Sequence, residues 1–160
     1  MSFQTADLYD AHENDVKVAA PLFRAYGGKT RFFGEIVTVK CHEDNSLVGD
    51  TLKNKNGKGK VLVVDGGGSL RCALLGDMLA EKAMANEWEG IIVYGCIRDS
   101  AMVNDMAIGV RALNTNPIKS VKRGEGIFNE PVTFAGVTFK PGHYIYVDED
   151  GILLSQNLLI

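Results

Sequence analysis

Two short pairs, Gly76-Asp77 and Arg98-Asp99, separated by twenty residues, hold the side chains of this sequence best suited to chemistry. Asp99 offers a hard oxygen ligand for a divalent cation, and Asp77 can orient a water beside it. Arg98 presents a planar fork of donors suited to a carboxylate or a developing enolate. If a helix begins at Gly76, the backbone amides of Gly76, Asp77, Met78 and Leu79 are free donors that bind a carboxylate without a cationic side chain. Together these groups describe a small anionic carbonyl substrate held beside a divalent metal, and all-oxygen ligation points to Mg²⁺ or Mn²⁺. A plainer arrangement uses the same residues: Arg98 and Asp99 cap a helix or form a surface ion pair, and Gly76 marks a kink.

The segments that carry the pairs decide whether they meet. Val61-Leu62-Val63-Val64 and Ile91-Ile92-Val93-Tyr94 are apolar runs that read as buried strands, and the stretch from Leu79 to Asn86 between them reads as a helix. A βαβ unit of that kind sets its carboxyl-end loops side by side, where open α/β sheets bind ligands. Upstream, Thr5 to Asp10 starts a short helix, Phe32 to Cys41 alternates as a half-buried strand, and Glu43 to Ser46 supply caps for a helix through Leu52. Downstream, a short helix over Ala101 to Met106 precedes a strand over Gly109 to Leu113. The remainder is β-rich: Val132-Thr133-Phe134 and Val137-Thr138-Phe139 flank Ala135-Gly136 as a hairpin, and Tyr144 to Val147 pairs with Ile152-Leu153-Leu154. No repeat or linker interrupts residues 1–160. The expectation is one α/β domain, a βαβ core extended by antiparallel C-terminal strands.

Composition narrows the function. The chain has 160 residues, a net charge of -3 and three cysteines, Cys41, Cys72 and Cys96. An odd count without metal-finger spacing favours reduced thiols, and the start of the chain shows no secretory signal; the expected location is the cytoplasm, away from any membrane. The lysines from Lys53 to Lys60 are interleaved with Asn and Gly rather than aromatics, which disfavours direct nucleic-acid binding. His12, His42 and His143 are scattered and suggest no triad. Asp65-Gly66-Gly67-Gly68 after a strand invites a nucleotide or methyl-donor reading, but Arg71 stands where the third glycine of the fingerprint belongs. Those glycines are expected to keep the floor of the crevice open or to form a tight turn. Lys82, five positions from Asp77, reads as a solvated lysine off the crevice face. Glu125 and Glu130, flanked by Gly124, Gly126 and Pro131, read as exposed loop acids, with the alternative that they reach a neighbouring subunit's site.

Across nearly the whole chain, the segments Pro21-Leu22-Phe23, Gly34 to Cys41, Val61 to Gly68, Gly76-Asp77, Trp88-Glu89-Gly90, Gly95, Arg98-Asp99 and Gly136 to Phe139 resemble the regulator of ribonuclease E activity A (RraA-like) family. That family includes metal-dependent 4-hydroxy-4-methyl-2-oxoglutarate aldolases. The resemblance implies a compact β/β/α domain of the swivelling, phosphohistidine-domain-like type and a ring-shaped homotrimer, with Leu158, Leu159 and Ile160 available to bury against a neighbour. It implies that Gly76 to Leu79 hold the substrate carboxylate, Arg98 contacts substrate oxygens, Asp99 binds the metal and Asp77 acts through water. The implied activity is a class II lyase that cleaves 4-hydroxy-4-methyl-2-oxoglutarate, and decarboxylates oxaloacetate, to pyruvate through an enolate. The alternative is inhibition of ribonuclease E by protein contact. Larger aldolases of the family add an acidic residue from a longer C-terminal region, for which this chain has no matching position.

Overall fold

The computed structural model describes residues 2–160. In chain order the elements are α1 (Thr5–His12), β1 (Val16–Val18), β2 (Arg24–Tyr26), β3 (Phe32–Lys40), α2 (Ser46–Asn54), β4 (Lys60–Asp65), β5 (Ala73–Leu75) and α3 (Asp77–Ala85). They continue with β6 (Gly90–Ile97), α4 (Ser100–Asn104), β7 (Gly109–Thr115), β8 (Ile127–Phe128), β9 (Val132–Phe134), β10 (Val137–Phe139), β11 (Tyr144–Asp148) and β12 (Gly151–Ser155). The main sheet runs β1-β12-β11-β3-β4-β6-β7-β2, with β5 added beside β6 and β8 beside β3. Strands β3, β4, β6 and β7 are parallel to their neighbours in that run; β11, β12, β1 and β2 attach antiparallel at the two flanks. The α/β core with antiparallel C-terminal strands is therefore present.

Burial explains why β4 is apolar throughout. Leu62 and Val64 face the layer of α2, α3 and α4, alongside Val48, Leu52, Ala80, Ala83 and Val103. Val61 and Val63 face the other way, into a cluster with Phe134, Phe139 and Ile145 under the β9–β10 hairpin. A strand covered on both faces has no solvent side on which a polar residue is stable. Each such side chain taken fully from water contributes roughly 1.5–3 kcal/mol. The layers are hairpin, sheet and helices, the β/β/α order that the resemblance implies.

One end of the parallel strands is closed by an aromatic ring. Gly90 and Gly109 are direct partners at the start of β6 and β7, and a Cβ on either would lie 2.2 Å from the Phe32 ring. The two glycines make the flat space that the ring fills, and the Arg111 guanidinium stands 5.5 Å from its centroid. Arg111 also donates from Nη2 to the Thr30 carbonyl at 2.7 Å. Nearby, the Thr5 amide and hydroxyl donate to the Asp148 carboxylate at 2.7 and 2.6 Å, fastening α1 to the end of β11. The extreme C-terminus turns inward: the Leu159 amide donates to the Tyr146 hydroxyl at 2.7 Å, and Leu159 and Ile160 pack on Tyr146 and its neighbours, leaving Leu158 exposed. Leu158 is thus exposed, while Leu159 and Ile160 are half-buried.

Candidate active site

The two pairs meet, through an element that the sequence reading did not anticipate. The link from β4 to α3 contains the short strand β5, which takes over as neighbour of β6 beyond Tyr94, pairing Ala73 with Cys96 and Leu75 with Ile97. The Arg98 amide donates to the Leu75 carbonyl at 2.9 Å, so the residues after β5 and β6 emerge together. Three apolar residues flanked by Arg-Cys and Gly-Asp are too short a run for alternation to identify as a strand.

Gly76 caps α3, and the Asp77 amide donates to Oδ2 of Asp99 at 3.2 Å. Asp99 itself precedes α4 with φ 56°, a left-handed conformation that Asp tolerates better than most residues. A Cβ on Gly76 would sit 2.8 Å from that same Oδ2 and 3.4 Å from Cγ of Arg98. The close approach is what requires glycine here, because φ of -133° is open to any residue. Of the four amides expected to be free, two are engaged: Asp77 on Asp99, and Met78 on Oδ1 of Asp77 at 2.9 Å. Those of Gly76 and Leu79 are left for a ligand among the described residues. No salt bridge holds Arg98 among the described residues, which leaves its fork available.

These residues line a cleft of about 270 Å³ whose apolar floor includes Leu75 and Leu79. Four lysines also line it, Lys53, Lys82, Lys119 and Lys122. Lys82 is therefore a cleft residue, against the sequence-based expectation: helical spacing from Asp77 measures only the angle about the α3 axis, and a cleft wide enough for a substrate spans more of a helix than one face. Lys53, Lys119 and Lys122 come from α2 and from the stretch between β7 and β8, and no motif ties them to the two pairs.

The glycines at 66 to 68 do not line the cleft. The Gly66 and Gly68 amides both donate to the Tyr94 carbonyl at 3.1 Å, and the Gly67 amide donates to Oδ1 of Asp65 at 2.9 Å. With all three engaged inside the turn, none remains to cradle a phosphate. A larger groove of about 460 Å³, bordered by Lys17, Lys140 and His143, contains none of Gly76, Asp77, Arg98 and Asp99. Cys41, Cys72 and Cys96 are free and buried, and burial, reinforced by the nearby Asp44 and Asp65 carboxylates, pushes the Cys41 thiol up to about 12. Such a thiol is no nucleophile at neutral pH.

Oxygen donors brought close to the chain by a missing Cβ suit a hard cation. Among the described residues no group of three or more His, Cys, Asp or Glu side chains converges, so a cation here would rely on few protein ligands and complete its shell with water and substrate, as Mg²⁺ commonly does.

Comparison with known proteins defines the class. Residues 5–154 match the RraA-like family model, described as Aldolase/RraA, and the chain belongs to that family. A relative from Aromatoleum aromaticum is 57% identical over the full length of both chains, and one from Dechloromonas aromatica is 58% identical over 99% of each; both are provisionally named 4-hydroxy-4-methyl-2-oxoglutarate aldolase. Among solved structures, the RNA-processing inhibitor RraA from Thermus thermophilis superposes with a TM-score of 0.95 at 40% identity, covering 100% of this chain and 96% of that one. A protein from Geobacillus kaustophilus named S-adenosylmethionine:2-dimethylmenaquinone methyltransferase superposes at 0.96 with 46% identity, covering 98% and 97%. The last name finds no support in the glycine turn, whose amides are all engaged.

Proposed function

We propose that this protein is a divalent-metal-dependent lyase that cleaves 4-hydroxy-4-methyl-2-oxoglutarate into two molecules of pyruvate and decarboxylates oxaloacetate at the same site. The observation that supports this most is the convergence of Gly76-Asp77 and Arg98-Asp99 at one cleft, joined by the bond from the Asp77 amide to Asp99. Asp99 would hold the Mg²⁺ or Mn²⁺ ion, with Asp77 reaching it through water, and the ion would supply Lewis acidity to the 2-oxo group. The free amides at the start of α3 orient the C1 carboxylate. As the C4 hydroxyl gives up its proton to water, the C3–C4 bond breaks and its electron pair moves into the pyruvate enolate, which is then protonated at C3. Arg98 directs its fork at the substrate oxygens and stabilises the negative charge that grows on the 2-oxo oxygen. Loss of carbon dioxide from oxaloacetate leaves the same enolate, so both reactions draw on the same groups. The working form is a cytoplasmic homotrimer, for which light scattering should report about three times the chain mass of 17.4 kDa.

A coupled assay for pyruvate tests this reading. Chelation should abolish release from both substrates, Mg²⁺ or Mn²⁺ should restore it, and Asp99→Ala should remove both the rate and the response to metal. Turnover that survives excess chelator and is trapped by borohydride would replace this mechanism with a Schiff-base one on a cleft lysine such as Lys82.

The likeness to the RNA-processing inhibitor at 40% identity favours a second reading, inhibition of ribonuclease E by protein contact without direct nucleic-acid binding. Inhibition through an outer surface would survive Asp99→Ala and weaken as salt rises, because exposed charges are screened over about 8 Å at physiological ionic strength. Loss of inhibition together with lyase activity in that variant would place both on one surface.

A further inference from the structure

The stretch from 119 to 125 supplies two of the four cleft lysines, yet apart from a single bridge from Lys119 to Ala73 it belongs to no helix or strand. Its position is set by a buried carboxylate. Asp44, 1% exposed, receives the Ser46 amide and hydroxyl on Oδ1 at 2.9 and 2.5 Å, and the Arg123 and Glu125 amides on Oδ2 at 2.8 and 3.1 Å. The Gly124 amide between them donates to the Ser46 hydroxyl at 3.1 Å. Asn45 completes the clasp: its amide donates to the Ser120 hydroxyl at 3.1 Å, its Oδ1 accepts from Nζ of Lys122 at 2.6 Å, and its Nδ2 donates to the Leu74 carbonyl at 3.1 Å. Leu74 lies in β5, two residues before Gly76, so one turn anchors both the lysine-bearing stretch and the strand that presents the first motif.

The charge of the cleft shows what the clasp is for. Four lysines and Arg98 face two carboxylates, Asp77 and Asp99, an excess of three positive charges (5 - 2) in a chain whose net charge is -3. The Gly76 and Leu79 amides and Arg98 already account for the carboxylate and oxo group of a 2-oxo acid. The surplus fits a second carboxylate on the same molecule.

We propose that Asp44 is a positioning residue for this cleft: by gripping the Arg123 and Glu125 amides it holds Lys119 and Lys122 where they receive the distal carboxylate of a 2-oxo diacid. The substrate class rests on the lyase reading above; the preference for a distal carboxylate does not. Asp44→Asn leaves one oxygen to serve Ser46 but turns an NH₂ group toward two amide donors, releasing the stretch while changing side-chain size little.

The test compares 2-oxoglutarate with 2-oxovalerate, equal in chain length and differing in the distal carboxylate, by calorimetric titration in the presence of Mg²⁺. The parent should bind 2-oxoglutarate at least about tenfold more tightly, and Asp44→Asn should lose most of that preference while its affinity for 2-oxovalerate shifts by less than about twofold. Lys119→Gln with Lys122→Gln should lose the preference too, and adding Asp44→Asn to that pair should cost little more, since residues acting through one another are non-additive. Equal loss for both ligands in Asp44→Asn, full additivity with the lysine changes, or no preference in the parent would each overturn the proposal. A preference in the parent that Asp44→Asn loses, with no pyruvate release from any 2-oxo diacid, would instead sink the lyase reading and leave the positioning role of Asp44 standing, whereas a preference that Asp44→Asn keeps would overturn that role.

Discussion

The two ends of the parallel strands treat glycine in opposite ways. At the amino end, Gly90 and Gly109 make a flat space that the chain fills with its own Phe32 ring, 2.2 Å from where either Cβ would be. At the carboxyl end, Gly76 makes room for polar side chains instead: Oδ2 of Asp99 and Cγ of Arg98 lie 2.8 and 3.4 Å from where its Cβ would be, with no packed ring there. The first arrangement contributes stability through dispersion and burial, and the second gives up that packing to bring the charged side chains of the candidate site against the start of α3. The same residue type, met at the end of a strand, marks core in one place and the candidate site in the other, and what separates them is the group that faces the missing Cβ.

Four experiments can break or sharpen this contrast. Phe32→Ala should produce the largest effect, about 3–5 kcal/mol of lost stability from transfer and cavity together, read as a drop in denaturant midpoint, with turnover per folded molecule retained. Arg98→Ala should reverse that pattern. Its Tm should stay near the parent's while kcat for pyruvate release falls by ~10²–10³, the usual cost of removing one positioned donor of charge stabilisation.

Adding a single methyl at each end gives the closest comparison. Gly109→Ala forces a Cβ into the Phe32 ring and toward the Lys29 carbonyl, an overpacking that should cost about 1–3 kcal/mol, with about 2–4 °C of Tm per kcal/mol for a chain of this size. Gly76→Ala should melt like the parent, since its backbone angles suit alanine and Asp99 is exposed and able to move, yet lose about tenfold to hundredfold in kcat/KM as Asp99 is displaced. Equal melting losses in the two variants would mean that the open end is as tightly packed as the closed one.

The smallest effect is in acid. Burial opposes ionisation of Asp148, but hydrogen bonds from Thr5 and Asp150 outweigh it and hold the carboxyl below the usual range; Asp44 behaves alike, with Ser46, Glu125 and Arg123 as donors. Glu43, bonded by Arg71 and Ser69, is lowered to about 2. Groups depressed in the folded state contribute stability that is complete above the unfolded carboxylate range near ~4 and is lost as pH falls through the folded values. Melting temperature should therefore be level above about pH 5 and fall steadily toward pH 2. Asp148→Asn should flatten that fall by removing one depressed carboxylate, while lowering the neutral-pH melting temperature as α1 loosens at the closed end, whereas Asp44→Asn should flatten it while altering the cleft.

Much of this arrangement is legible in the residues alone. Apolar runs without a polar face announce β4 and β6 because strands covered on both sides tolerate nothing else, and the alternation of the C-terminal segments announces their hairpins. The four motif residues stand out because carboxylate, guanidinium and glycine each do one thing well, and the resemblance places them in the correct family. The misses share a cause. Strand β5 is three residues long, too short for periodicity, and β1, β2 and β8 are two or three residues each. Lys53, Lys119 and Lys122 reach the cleft from segments distant in sequence, and lysines on a surface carry no local mark of what they face.

Sequence by itself determined which segments are buried strands, helices and hairpins, because burial on one or both faces is written into hydropathy at a period of two or 3.6 residues, while the β/β/α layering came with the family resemblance. It also determined which side chains can do the chemistry, because that capacity belongs to the residue type. Tertiary structure alone decided that β5 brings the two motifs together, that two of the four expected amides are engaged, that the glycine turn is closed, and that Lys82 and three distant lysines share the cleft. Each of those outcomes depends on which groups become neighbours across long loops, and proximity of that kind follows from the packing of the whole chain rather than from any local stretch of it.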